Sequence, residues 1–109
     1  VTDFWIKEND TEPAIEAYLE DENGNAIDLS SVFTIRFHMA DAATNTIKVN
    51  EVADVINATT GRVRYRWQSG DTDIPDAYSG EFEVTWETGD IETFPNYTNI
   101  EIEIVPELA

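Results

Sequence analysis

The stretch Gly80–Pro106, GEFEVTWETGDIETFPNYTNIEIEIVP, contains two strictly alternating runs, EFEVTWE and NIEIEIV. In the first, Phe82, Val84 and Trp86 share one side, and Glu81, Glu83 and Glu87 share the other. In the second, Ile100, Ile102 and Ile104 alternate with Glu101 and Glu103. A period of two marks a strand with one face in a core and one in water. These runs predict two strands of an all-β fold. They also pose a problem of charge. The stretch has no lysine or arginine, so the outer faces of both strands are nearly pure carboxylate.

Working outward, the same period recurs and no window of helical length shows a period of 3.6. Residues 3–7 (DFWIK) predict a short first strand. Residues 14–20 (AIEAYLE) set Ile15, Ala17 and Leu19 against Glu16, Tyr18 and Glu20, and Asn23-Gly24 then signals a turn. Residues 32–39 (VFTIRFHM) put Phe33, Ile35, Phe37 and Met39 on one face. Residues 46–51 and part of 52–58 read as weaker strands, or as one strand with a bulge. Residues 62–67 (RVRYRW) point Val63, Tyr65 and Trp67 inward and Arg62, Arg64 and Arg66 outward. Residues 68–80 read as a long loop. About seven short strands with regular turns in one chain of 109 residues predict a single domain, residues 1–109, folded as an immunoglobulin-like antiparallel β-sandwich. Phe37, Trp67, Val84, Trp86 and Ile102 are its expected core.

In that topology strand 14–20 pairs with strand 62–67, which brings Glu16 and Glu20 across from the arginines. Opposite charges so placed stabilise a sheet by roughly 0.2–1 kcal/mol per pair. The other sheet holds 32–39, 81–87 and 99–105, with 81–87 in the middle. Glu81, Glu83 and Glu87 then lie beside Glu101 and Glu103, with only Arg36 and His38 to relieve them. Like charges directly opposite are destabilising. Glu81, Glu83, Glu101 and Glu103 are therefore expected either to be screened by salt or to form a protein interface with a cationic partner.

The whole chain is acidic, with six Lys+Arg against 23 Asp+Glu and a net charge of −17. It is also 41% hydrophobic with three tryptophans, too apolar for a disordered acidic tail. Phosphate contacts and anionic lipid surfaces both require clustered cations, so neither nucleic acid nor membrane is an expected partner. Only Lys7 and Lys48 are lysines. Acid-rich, lysine-poor composition suits a salt-loving archaeal or viral protein, because molar salt shortens the Debye length to about 3 Å; the alternative is an acidic mesophile protein with a cationic partner. There is no cysteine, hence no disulfide or thiolate site. No apolar run is long enough to span a bilayer and no signal-peptide pattern opens the chain, so a soluble protein without an address is expected.

No catalytic constellation emerges, so the chain is not expected to be an enzyme. His38 is the sole histidine and falls at an outward strand position, which suits an ordinary surface residue. None of the four serines has a G-x-S-x-G setting. The glutamates alternate outward, where water keeps them ionised, whereas a general acid needs a buried carboxyl. Asp71, Asp73 and Asp76 share a loop whose oxygens suit a hard cation, but the pattern is not an EF-hand. No metal and no cofactor is expected. Asn9, Asn57 and Asn96 begin N-x-[ST] sequons. Trp5, Tyr18, Tyr78 and Tyr97 are the aromatics for a carbohydrate site, if they cluster.

Several pieces in order resemble the immunoglobulin-like N-terminal domain of tailed-phage upper baseplate proteins. Asp10-Thr11 and Pro13 match that family's GDT-x-P turn, with Asn9 in place of the usual glycine. Asp21 and Gly24 match its D-x-x-G hairpin, Asp28-Leu29 its DL, and Phe37-His38-Met39 its Phe-x-Met. Gly61-Arg62-Val63-Arg64-Tyr65 resembles its G-x-V-x-Y strand, Gly80-Glu81-Phe82 its G-x-Y strand start, and Thr93-Phe94-Pro95 its TFP end. The resemblance spans nearly the whole chain. It implies a virion structural protein of a tailed virus: a docking module of baseplate, tail or capsid surface, present in multiple copies among other virion proteins. The alternative from a different class is a carbohydrate- or cell-surface-binding immunoglobulin-like module.

Overall fold

The computed structural model describes residues 1–109. Nine strands form two sheets: β1 (Phe4–Lys7), β2 (Ile15–Tyr18), β3 (Val32–Asp41), β4 (Ile47–Val52), β5 (Asp54–Asn57), β6 (Arg62–Tyr65), β7 (Asp76–Trp86), β8 (Ile91–Phe94) and β9 (Ile100–Val105). The larger sheet runs β1-β9-β7-β3-β4, with β8 also on β7; the smaller runs β2-β6-β5. The protein is an immunoglobulin-like β-sandwich. All its pairs are antiparallel except β1 with β9.

The inward residues of both sheets meet in one core. Phe37 stacks on Tyr65 across the sheets at 4.9 Å between ring centres, and Trp67 meets both edge-on at 5.7 and 5.6 Å. Phe37, Trp67, Val84 and Ile102 are buried as the alternation predicts. Trp86 is only half-buried: it ends β7 beside the hairpin turn and packs against the core from its margin. Phe33, expected on the inward face, is 75% exposed. The register of β3 on β7 slips between Val32 and Thr34, so Phe33 is the extra residue of a bulge and leaves the alternation.

Residues 46–58 form two strands, β4 and β5, as the first of the two readings has it, and not one bulged strand. The chain crosses between sheets at buried Ala53, so that β4 borders the larger sheet and β5 the smaller. The supposed loop 68–80 is shorter, because β7 already begins at Asp76. β7 is 11 residues long and serves two partners on one edge. Its first half, Asp76–Gly80, pairs with β9, and its second, Phe82–Thr85, pairs with β8. Phe94 faces Phe82 and Ile100 faces Gly80. A continuous strand would set residue 96 against Gly80, so four residues are extruded between β8 and β9.

Candidate cleft at the edge of the smaller sheet

That extrusion shapes the main concavity. Residues 94–100 face Asp3 and Phe4 of the first strand region and the run Ile15–Glu22, enclosing a cleft of about 480 Å³. This is within the range of small-ligand sites. Consecutive residues of β2 all line it, so the strand presents its edge rather than one face. β2 is an end strand of its sheet, and this edge carries no neighbour.

Tyr18 and Tyr97 both line the cleft, with 61% and 84% exposure. Of the aromatics proposed for a carbohydrate site, these two come together. Trp5 lines a separate shallow hollow with Lys7 and Pro13. Tyr78 is buried and donates its hydroxyl to the Ile74 carbonyl at 2.7 Å. That Tyr18 and Tyr97 line one cleft has no signal in the sequence, because residues 79 positions apart are brought to it only by the extrusion between β8 and β9.

Five carboxylates line the cleft, Asp3, Glu16, Glu20, Asp21 and Glu22, and no lysine, arginine or histidine does. Glu16 is held outward by Arg62 at 2.7 Å, with Arg64 at 3.9 Å. Asp21 accepts the Asn23 and Asn25 amides, chiefly the latter, and its pKa is lowered by them. Asp3 accepts the Glu101 amide at 2.8 Å. No lysine or arginine reaches Glu20 or Glu22.

The expected cross-strand pairing of Glu16 with the arginines is present. Glu20 takes no part in it, because β2 ends at Tyr18 and Glu20 bridges Ala26 instead. Arg66 lies just past β6 and reaches Glu12 at 3.6 Å.

The four glutamates of the acidic face are not opposed as expected. The β7–β9 ladder ends at Gly80 with Ile100, and Glu101 and Glu103 face Ser79 and Ala77. Glu81 faces His38, with Nδ1 and Oε2 2.9 Å apart, and Glu83 faces Arg36 on one side and Thr93 on the other. Arg36 turns to Asn50, at 2.8 Å to its side chain and to its carbonyl. Glu101 and Glu103 are exposed, whereas Glu81 and Glu83 are half-buried.

The aspartates of the 71–76 region separate. Asp71 accepts the Tyr65 hydroxyl at 2.6 Å, and burial together with that bond pushes the phenol pKa up. Asp73 pairs with Lys48, and Asp76 lies against Asp41. No three acidic or histidine side chains converge as a metal would require. Asn9, Asn57 and Asn96 are all exposed. Asn57 caps its own turn, accepting the Thr59 and Thr60 amides, and Asn96 donates to the Thr93 carbonyl at 2.9 Å.

No family model matches the chain, and no curated protein matches it in sequence. Among solved structures it is similar to the crystal structure of CopC from Methylosinus trichosporium OB3b, with a TM-score of 0.55 at 11% identity, over all of this chain and 89% of that one. At that identity the likeness shows the sandwich fold alone.

Proposed function

We propose that this chain is a docking module of a tailed-virus particle, at home in high salt, that binds other virion proteins through its sheet edges and acidic face. The virion assignment rests on the ordered motifs described above. The docking role is carried by one observation, the open edge of the larger sheet. β4 ends that sheet and exposes Ile47 and Val52, at 63% and 60%. Lys48, Glu51 and the bulge between Ile47 and Val49 blunt part of this edge against indiscriminate pairing, and the exposed Ile47 and Val52 beside them suit it to a matched partner strand. Multiple copies in a particle would let weak edge contacts add up. Glu81, Glu83, Glu101 and Glu103 supply a second contact surface for a basic neighbour, with register set by charge.

The test is incorporation. Mass spectrometry of purified particles should find the chain in stoichiometric amount, and Ile47→Lys with Val52→Lys should remove it while the isolated domain still folds. Particles that lack the wild-type chain would overturn the virion reading. Normal incorporation of the double variant would overturn docking through β4. The carbohydrate alternative keeps one supporting observation, the shared position of Tyr18 and Tyr97 in the cleft.

A further inference from the structure

We propose that the cleft beside β2 receives an extended, arginine- or lysine-bearing segment of a partner protein. This rests on the docking reading and names the chemistry of one partner. Three features of the cleft converge on such an occupant. Its wall is an unpaired strand edge, Ile15–Tyr18, within a lining that continues to Glu22. An extended chain laid there gains main-chain hydrogen bonds that no sugar supplies. Its mouth carries Tyr18 and Tyr97, both largely exposed, and tyrosine faces attract guanidinium and ammonium groups. Its charge is one-sided: five lining carboxylates, no lining cation, and Glu20 and Glu22 free of any ion pair.

Charge also separates this occupant from a neutral glycan. Covering Glu20 and Glu22 with a neutral ligand removes water from two charges and returns only hydroxyl contacts. A cation returns a charge-assisted hydrogen bond to each. The competing explanation is that Glu16 and Glu20 merely blunt the edge against aggregation. In that case the cleft has no saturable ligand.

The experiment is an amide chemical-shift titration of the whole chain in about 1 M KCl, where diffuse attraction to the acidic surface is screened. The probes are the blocked peptide acetyl-Val-Arg-Val-Arg-Val-amide and, separately, maltohexaose. The peptide should give saturable shifts confined to residues 15–22 and 95–99. Tyr97→Ala should weaken it about two- to fivefold, as expected for one exposed cation–π contact. Glu20→Gln with Glu22→Gln should weaken it at least as much, and Glu87→Gln, at the distant β7–β8 turn, should leave it unchanged. Absence of saturation, or shifts spread over the whole acidic surface, would overturn the proposal. So would maltohexaose filling the cleft while the peptide does not. The particle analysis is independent of this titration, so failure of the virion reading and failure of the cleft are told apart.

Discussion

At Gly61 the backbone has φ +69°, and a β-carbon there would lie 2.6 Å from the Leu19 carbonyl oxygen and 2.9 Å from that of Ile27. Those backbones are tied down. Leu19 N donates to the Gly61 carbonyl at 2.8 Å, and Ile27 N donates to the Leu19 carbonyl at 2.9 Å. A side chain therefore brings both a left-handed conformation and a clash that cannot relax without breaking hydrogen bonds. Gly61→Ala should destabilise the fold by about 2–4 kcal/mol, read from urea unfolding midpoints; an unchanged midpoint would show that the 19–27 hairpin moves freely. Asn9 makes the milder comparison. It has φ 67°, a region that asparagine tolerates better than most residues, and it stands where the resembled family carries glycine. Asn9 falls in the turn that the family resemblance marks, and Gly61 opens the resembled G-x-V-x-Y strand. Phe33 was not legible, since a bulge leaves no mark in an alternating pattern until the partner strand is known.

The turns between elements are built on aspartates. Asp28 accepts the Ser30 hydroxyl at 2.5 Å and the Ser30 amide at 2.9 Å, and the side-chain bond is the larger cause of its lowered pKa. Asp21 is lowered chiefly by the Asn25 amide. Asp41 is lowered chiefly by Asp76, then by the amides of Thr44 and Ala43. A folded pKa below the unfolded value of about 3.9 means stabilisation that is complete above that pH. It is lost as pH falls through the lowered folded value. The unfolding midpoints of wild type and Asp28→Ala should thus differ at pH 6 and draw together as acid protonates Asp28; a gap that does not narrow in acid would assign the loss to packing instead. The elements themselves were legible where alternation was long. β7 and β9 stand out in the sequence, but the four-residue β8 does not, because only buried Phe94 marks it. Missing β8 placed β9 against the wrong half of β7, and that error alone produced the expected glutamate-on-glutamate face.

Across the whole molecule, carboxylates far outnumber the cations that could meet them. Lysine and arginine engage only Glu12, Glu16 and Asp73 among 23 acidic residues. Pairs this exposed are worth about 0–1 kcal/mol each, so they do not offset the self-repulsion of a net charge of −17. The composition made this legible from the start; the cleft was not, since it depends on an extruded loop meeting a distant strand. Repulsion of this kind has a definite salt dependence. The Debye length shortens from about 10 Å at 0.1 M to about 3 Å at 1 M, which is shorter than most spacings between surface carboxylates. The melting temperature should therefore climb steeply between 0.05 and 1 M KCl. Sodium chloride should act equally over that range, because screening depends on ionic strength and not on the cation. Scans continued to 3 M separate this from a specific ion requirement: screening alone flattens above 1 M, whereas a bound potassium would make the two salts diverge as its site fills. A melting temperature that is flat or falls from 0.05 M upward would show that the acidic surface does not strain the fold, and would remove the physical basis for placing this protein in a high-salt environment.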